Sequence, residues 1–139
     1  MTMMMRFKTK QEMLDTLSEY KRYINEYDYI SSQLDVHSVP TDRDNSSTGH
    51  GDKVHAYNDI IARRDEIDAK LRDIELMVSS LKSVDDMSYR IIWYKFIDGM
   101  TLEDISVMLC YSLSHIQHNL YPKAKRQLFE LYKDDQQLQ

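Results

Sequence analysis

Apolar residues recur at alternating intervals of four and three over two long stretches of the chain. The first stretch covers residues 13–34 and is broken only by Ser31. The second covers residues 57–81 and is broken only by Arg64. A strict seven-residue repeat is typical of helices that pack as a left-handed coiled coil. The two stretches are therefore predicted to be long helices with coiled-coil packing.

A polar segment separates the two predicted helices. Residues 36–52 hold Pro40, Gly49, Gly51 and a run of Asp, Asn, Ser and Thr, which favour a loop. Residues 1–84 are thus predicted to form an antiparallel coiled-coil hairpin that serves oligomerisation. The pattern leaves open whether the helices pair within one chain or between chains. The seam positions assigned to this role are Leu17, Tyr20, Ile24, Ile67, Leu71, Ile74 and Val78.

Arg64 is the charged residue that interrupts the second seam. Its long side chain is expected to extend outward towards Asp28 or Glu26, where its charge would be paired. The alternatives are that Arg64 fixes the register of the helices, as buried polar residues sometimes do, or simply lies at the edge of a short seam.

The C-terminal part of the chain predicts short helices joined by tight turns. Gly99 is expected to end a helix that begins near residue 89, because a left-handed glycine is common there. Thr101 and Ser112 are expected to cap the next two helices at their N-termini. About three residues separate these two helices, which is the layout of a helix-turn-helix within residues 85–139.

Composition limits the classes of protein that this chain can represent. It has 139 residues, with 3 Gly and 2 Pro, too few for an all-β fold or a glycine-rich phosphate loop. The single Cys excludes an internal disulfide framework, so a reducing cytoplasm is expected. No apolar run approaches the ~18 residues of a membrane span, and the first ten residues lack a signal-peptide core. No membrane partner is expected.

No constellation of residues predicts an enzyme, a metal site or a cofactor. His37, His50 and His55 lie in or beside the polar loop, but nothing fixes them at the spacing that zinc needs. Cys110 has histidines nearby, yet a Cys in such a turn is more often a packing residue than a nucleophile. No catalytic residue is assigned, and the protein is expected not to be an enzyme.

Charge argues both against and for nucleic acid. The net charge is -5, which disfavours a polyanionic partner. Residues 112–127, however, contain Lys123, Lys125 and Arg126 and no acidic residue. A phosphate meets the local charge of a surface, so the average charge does not exclude DNA.

Residues 90–112, RIIWYKFIDGMTLEDISVMLCYS, resemble region four of bacterial sigma factors, which reads the promoter. A fuller resemblance, over about residues 10–132, is to ArpU-like late-gene regulators of phages and prophages and a related family of uncharacterised phage proteins. It implies an all-α fold with a helical hairpin before a sigma-like helix-turn-helix. The matching residues are Lys95, Phe96, Gly99, Thr101, Glu103, Asp104, Ile105, Leu109, Tyr111 and Ser112.

Two departures from that family pattern affect the backbone. Cys110 stands where Gly is frequent, and a left-handed conformation there would cost on the order of 1 kcal/mol. Pro122 falls inside what is usually one continuous recognition helix, and its ring would clash with the carbonyl of His118. The helix is therefore expected to end or kink near residues 120–121, with a new helix from about residue 123 to 133.

The predicted function is sequence-specific binding of double-stranded DNA by a phage-type transcription regulator in the cytoplasm of a bacterial host. One such unit carries few cations, so a homo-oligomer is expected, most simply a dimer, and RNA polymerase is a further candidate partner. The positions expected to read bases are Leu113, Ser114, His115, Gln117 and His118. The positions expected to contact phosphates are Ser112, Lys123, Lys125, Arg126 and Lys95.

Two other functions fit the same pattern. A DNA-packaging subunit of the small-terminase type also combines a helix-turn-helix with a coiled coil, but usually places the DNA-binding module first. A helical adaptor would bind RNA polymerase or another protein without touching DNA, which the acidic total supports.

Overall fold

The computed structural model describes residues 5–36 and 50–134, and every regular element in these ranges is a helix. The prediction of an all-α protein is confirmed for this part of the chain. The predicted loop lies largely outside the described residues, as do His37 and the side chains of His50 and His55. The helices are α1 (Lys10–Val36), α2 (His50–Ser79), α3 (Asp86–Ile92), α4 (Leu102–Leu109), α5 (Leu113–His115) and α6 (Tyr121–Tyr132).

Contacts between residues divide the chain into two compact units. The first unit contains the described residues up to Lys21 and those from Asp73 onward, and the second contains Arg22–Arg72. The first turns of α1 and the end of α2 therefore belong to the same unit as α3 to α6. This division differs from the predicted boundary between residues 84 and 85.

In the second unit, α1 and α2 run antiparallel. Lys70 Nζ lies 5.8 Å from the centroid of the Tyr23 ring. One turn further along α1, Arg63 Nε donates a 2.8 Å hydrogen bond to Glu26 Oε1. The partner on α2 thus comes earlier in the chain as the position on α1 advances, which is the direction that a hairpin requires.

The expected ion pair of Arg64 is wrong by one residue. Arg63 makes the contact with Glu26, and its hydrogen bond lowers the pKa of that carboxyl. Arg63 Nη1 also lies 3.2 Å from Glu66 Oε1, whereas Arg64 Nη2 lies 3.8 Å from Asp65 Oδ1. An α-helix drifts by about 20° per heptad against a 3.5-residue repeat, which shifts the side chain that reaches the partner helix.

The predicted seam is largely buried within one chain. Ile24 is the exception, since it is half-buried while its neighbour Tyr23 is only 8% exposed. These side chains are already covered within a single chain. Their contact with a second copy stays a prediction. The buried seam positions are Leu17, Tyr20, Ile67, Leu71, Ile74 and Val78.

The start of α1 is attached to the end of α6 in the first unit. Phe7 is buried and forms an isolated parallel β-bridge with Lys133. The Phe7 N–H donates to the Tyr132 carbonyl, and the Asp134 N–H donates to the Phe7 carbonyl, both at 2.9 Å. Arg6 Nη1 lies 3.5 Å from two carbonyls at the end of α6, where a positive charge suits the helix dipole.

The end of α2 joins the same unit through polar contacts and a shared core. Ser80 Oγ lies 2.8 Å from the Tyr132 hydroxyl, and the Tyr20 hydroxyl donates to Glu75 Oε2. Burial and this hydrogen bond raise the pKa of Tyr20. The buried apolar side chains of the first unit's helices are Met13, Leu17, Tyr20, Ile74, Met77, Val78, Leu81, Ile91, Ile92, Ile105, Ile116, Ala124 and Leu128.

Truncation of a buried seam residue should destabilise the fold. Leu71 is 6% exposed, so we expect Leu71→Ala to lower the free energy of unfolding by about 2–5 kcal/mol through lost burial and the cavity left behind. Leu76 on the same helix is 63% exposed, and Leu76→Ala should change it by less than about 0.5 kcal/mol. Urea unfolding of both variants measures the difference, and equal losses would contradict the observed seam.

Candidate nucleic-acid interface

Before the candidate site, Asp85 caps the N-terminus of α3, and the left-handed Gly99 ends the helical backbone that follows. Asp85 caps α3, because its Oδ1 accepts hydrogen bonds from the N–H groups of Met87 and Ser88 at 3.0 and 3.2 Å. α3 continues into a π-helical turn, Trp93–Ile97, and Gly99 follows with a φ of 72°. A left-handed residue at this point ends the helix, which confirms the predicted role of Gly99.

Two side-chain caps and one left-handed residue define the turn between α4 and α5. Thr101 Oγ1 accepts the Asp104 N–H at 3.1 Å, and Ser112 Oγ accepts the His115 N–H at 3.1 Å. Both predicted N-caps are confirmed. Cys110 is left-handed, with a φ of 61°, so the strain foreseen for a non-glycine residue is present.

Three isoleucines hold the elements of the candidate site together. Ile91 of α3, Ile105 of α4 and Ile116, which follows α5, form a fully buried cluster. Leu120, predicted to face inward, is partly buried against it. The other partly buried residues around the cluster are Met87, Tyr94, Met100, Leu102, Leu109 and Tyr121. This packing fixes the direction in which α5 leaves the turn.

The expected end or kink near residues 120–121 takes the form of a π-helical turn before Pro122, and the predicted new helix is present as α6. Helical backbone continues from α5 to α6 through a π-helical turn, Ile116–Leu120, and both Leu120 and Tyr121 have right-handed helical angles. Tyr121 donates its N–H to the Ile116 carbonyl, five residues earlier. Pro122 lies in the first turn of α6, where a missing N–H costs little. The site therefore lies on one uninterrupted helical segment, residues 113–132.

The π turn determines which residues share a face of this segment. In an α-helix, residues eight apart differ by about 80° around the axis. Ile116 and Ala124 are eight residues apart, and both are fully buried. They therefore lie on nearly the same face, because the additional residue in the wider π turn offsets most of the 80° difference. The same spacing of eight residues separates Gln117 from Lys125 and His118 from Arg126.

The five predicted base-reading residues differ in exposure. Ser114, Gln117 and His118 are exposed, whereas Leu113 and His115 are half-buried. His115 is also engaged within the chain: its Nδ1 lies 2.8 Å from Asn119 Nδ2 and its ring lies 5.3 Å from the Tyr111 ring. The exposed polar surface at the start of the segment therefore consists of Ser114, Gln117 and His118.

The three cations of α6 have different surroundings. Lys123 Nζ lies 3.3 Å from Asp85 Oδ2, across from the start of α3. Lys125 Nζ lies 4.4 Å from the centroid of the Tyr121 ring, and Arg126 is exposed. Lys123 is thus neutralised within the chain, while no carboxylate pairs with Lys125 or Arg126 among the described residues.

The remaining two predicted phosphate residues lie in other elements. Ser112 is exposed, and its hydroxyl already accepts the hydrogen bond from His115, so its proton is available for an acceptor. Lys95 is half-buried on the π turn that follows α3. The structure therefore distributes the five candidates over three elements.

The pairing of Asp85 with Lys123 was not predicted from the sequence. Burial alone would raise its pKa, but hydrogen bonds from Ser88, Lys123 and Gln127 outweigh this and lower it. An Asp just before a helix is a cap signal in sequence, but its pairing with Lys123 depends on how α3 meets α6.

Lys10 is the residue missed on the opposite side. Lys10 begins α1. Burial, and to a smaller extent the charge of Lys10, lowers the pKa of Lys125. No local pattern in the sequence connects these two lysines.

The described residues contain neither a candidate metal site nor a candidate membrane span. No three His, Cys, Asp or Glu side chains in these ranges form a group that could hold a metal ion. None of the described helices has both the length and the apolar character that crossing a membrane requires.

Relief of the strain at Cys110 should stabilise the protein. We expect Cys110→Gly to raise the free energy of unfolding by up to about 1 kcal/mol, because glycine adopts a positive φ without steric cost. Cys110→Ala keeps the Cβ atom and should give no such gain. Urea unfolding compares the two variants, and identical stabilities would argue against a left-handed residue in this turn.

The cap at Asp85 predicts a pH-dependent loss of stability. Asp85→Ala should cost about 0.5–2 kcal/mol at neutral pH, since two N–H groups lose their acceptor. The lowered pKa means that the carboxylate stabilises the fold above its ordinary pKa of 3.8 and loses this effect as the pH falls through the lower folded value. Melts from pH 7 to 2 should therefore converge for the two proteins. Asp86→Ala is the control, since its surface pair with Arg90 contributes little.

Comparisons of the chain with protein-family models, with curated proteins and with solved structures give no match. The likeness to sigma region four and to ArpU-like regulators accordingly rests on the residues of this sequence alone.

Proposed function

We propose that this chain is a sequence-specific double-stranded DNA-binding protein and a transcription regulator of the phage or prophage type. In this proposal α4, the turn at residues 110–112 and α5 form a sigma-region-four-like helix-turn-helix. The segment from residue 113 to 120 is the recognition helix. The protein acts without catalysis, in the cytoplasm of a bacterial host.

The observation that carries this proposal is the exposed polar start of the recognition helix. Ser114, Gln117 and His118 are exposed there, while Ile116 on the opposite side is fully buried in the cluster that fixes the helix. The major groove of B-DNA is about 12 Å wide and admits one α-helix. Gln pairs with two atoms of adenine, and Ser donates to or accepts from either kind of base.

Contacts with the DNA backbone would come from the following part of the same segment. Arg126 is exposed, follows His118 by eight residues and has no acidic partner among the described residues. Ser112 can donate its hydroxyl proton to a phosphate just before the first base-reading position. Such contacts position the helix and carry no sequence information.

Two copies would bind together. A single copy offers few unpaired cations, and twofold symmetry is the commonest arrangement of oligomers. The hairpin of α1 and α2, predicted as an oligomerisation domain over residues 1–84, is the element proposed to join the copies. A dimer in solution supports a regulator, whereas a ring of eight or more would favour the small-terminase alternative.

A helical adaptor is the second candidate, and an exposed apolar surface favours it. Val107 and Met108 of α4 are 79% and 53% exposed, and Tyr111 in the turn is 40% exposed. Glu103 and Asp104 lie on the same helix and would repel a phosphate. Such a surface is typical of contacts with another protein, RNA polymerase included. A gel shift on neighbouring genomic DNA distinguishes the two functions.

Substitution of a base-reading residue and substitution of a phosphate-contacting residue should change DNA binding in different ways. Gln117→Ala should cost about 1–3 kcal/mol on the preferred site and little on random DNA, because it removes a base contact. Arg126→Ala should weaken binding to both sequences alike and flatten the salt dependence by about one unit per subunit. The measurement is duplex binding across a salt series, on a site selected from a random pool.

The two variants serve as controls for each other. Equal behaviour of Gln117→Ala and Arg126→Ala would place the recognition helix elsewhere. A wild-type protein that binds no duplex at any salt concentration would replace the regulator with the adaptor.

A further inference from the structure

We propose that Asn119 of the recognition helix reads an adenine in the major groove and that His115 positions its side-chain amide for this contact. The inference rests on the proposed DNA-binding function. It adds a base-reading residue that the sequence pattern did not indicate, and it gives His115 a positioning role in place of a direct base contact.

Asn119 is an exposed residue on a well-anchored part of the recognition helix. It lies in the π-helical turn Ile116–Leu120, and its side chain is exposed. Ile116 before it is fully buried in the isoleucine cluster, and Leu120 after it is partly buried against the same cluster. This packing fixes the backbone that carries Asn119, so its amide is presented to solvent from a rigid element.

A hydrogen bond orients the amide of Asn119. Its Nδ2 lies 2.8 Å from His115 Nδ1, one helical turn earlier. An amide nitrogen only donates, so Nδ1 is the acceptor and the proton of the neutral imidazole lies on Nε2. A flipped amide would place Oδ1 against the same lone pair, which is unfavourable for two acceptors. The contact therefore determines which end of the amide carries the free acceptor.

His115 is itself held by contacts with the turn before α5. Its ring lies 5.3 Å from the Tyr111 ring, with the two planes inclined by 51°. Its N–H donates to Ser112 Oγ at 3.1 Å. The Tyr111 N–H donates to the Ser106 carbonyl of α4 at 3.0 Å. The orientation of the Asn119 amide is thus connected to the turn that joins α4 and α5, and it exists before DNA binds.

The groups left free on Asn119 match one base. The bond to His115 uses one of the two N–H donors, which leaves one N–H donor and the carbonyl acceptor. Adenine presents an acceptor, N7, beside a donor, N6–H, on its major-groove edge. Guanine presents two acceptors there, so its O6 would face Oδ1, and neither pyrimidine offers the adjacent donor and acceptor. Asn119 therefore selects adenine.

Gln117 is the other exposed amide of the recognition helix, and it differs from Asn119 in two respects. Its side chain makes no hydrogen bond within the part of the chain that the structure describes, so it must be ordered on binding. Residues two apart on a helix do not face the same way. The two amides therefore reach different base pairs, and Asn119, which is already oriented, loses less conformational freedom on binding.

The test compares the base preferences of wild type and Asn119→Ala. Duplexes are selected from a random pool, and affinities are then measured on single-base variants of the preferred site. Asn119→Ala should reduce the preference for adenine at one base pair by about 5- to 150-fold. Its affinity for random DNA and its salt dependence should equal those of wild type, because no phosphate contact is lost. Gln117→Ala should relax a different base pair.

A second substitution and a matched control distinguish a base contact from a general change. Asn119→Asp keeps the size of the side chain but has no N–H donor, so it should also lose the preference for adenine. Asn58→Asp makes the same change of charge at an exposed position of α2 and should leave every base preference unchanged. Thermal melts confirm that folded proteins are compared. An adenine preference that survives Asn119→Asp would overturn the proposal.

The positioning role of His115 is tested by rescue and by spectroscopy. His115→Ala should weaken the preference for adenine at the same base pair. His115→Asn should restore it, because the asparagine carbonyl supplies an acceptor near the position of Nδ1. Nitrogen NMR of the neutral ring should show the proton on Nε2, with an Nδ1 resonance that changes in Asn119→Ala. A proton on Nδ1, or a full adenine preference in His115→Ala, would overturn the positioning role.

The outcomes separate this inference from the proposed function. If wild type selects a site but Asn119→Ala keeps every base preference, the contact of Asn119 is wrong and the regulator stands. If Asn119→Ala weakens binding to all sequences alike and flattens the salt dependence, Asn119 contacts the DNA backbone and base reading by it is overturned. If wild type binds no duplex, the DNA-binding function itself fails and this inference fails with it.

Discussion

The mutual burial of Ile91, Ile105 and Ile116 is the contact on which the candidate interface depends. Each isoleucine comes from a different element, and each is fully excluded from solvent. Burial of such a side chain contributes about 1.5–3 kcal/mol, so the cluster holds three short helices that would not be stable alone. Ser112 and Thr101 then decide where α5 and α4 begin. The direction of the exposed polar face follows from these two constraints.

The C-terminal helices also depend on the hairpin. Met13 and Leu17 of α1 and Val78 of α2 are fully buried in the same unit as α3 to α6. Two backbone hydrogen bonds, one donated and one accepted by Phe7, complete this arrangement at the end of α6. A surface on α6 can therefore draw side chains from the beginning of the chain. Burial, and with it the charge of Lys10 at the start of α1, lowers the pKa of Lys125 on α6.

Local signals in the sequence predicted the local structure well. The heptads predicted both long helices, and Gly99, Thr101 and Ser112 were correctly identified as a stop and two caps, since each acts on backbone groups within a few residues. A break before Pro122 and a new helix after it were foreseen, but the π turn that joins α5 to α6 was not, because it has no compositional signature. The partner of Glu26 was assigned one residue too far along α2, since Arg63 and not Arg64 makes this contact.

Features that depend on tertiary packing could not be predicted from the sequence. Nothing near Lys123 in the chain shows that Asp85 neutralises it, and nothing near Lys125 shows that the charge of Lys10 acts on it. The cationic run of residues 112–127 is uniform in sequence but divided in space. Net charge and runs of like charge therefore describe which charged side chains a segment carries. Tertiary packing decides which of them have no oppositely charged partner.

The π turn also has a consequence for how such a helix can change. It contains one residue more than the α-helical turn it replaces, so deletion of one residue would restore regular winding between α5 and α6. The part before the deletion would then rotate by about 100° relative to α6, while the buried face of α6 stayed in place. The loss of a single codon there would thus present a different set of side chains to a ligand and would also turn Ile116 away from Ile91 and Ile105. The winding of this segment therefore couples its binding surface to the stability of the fold.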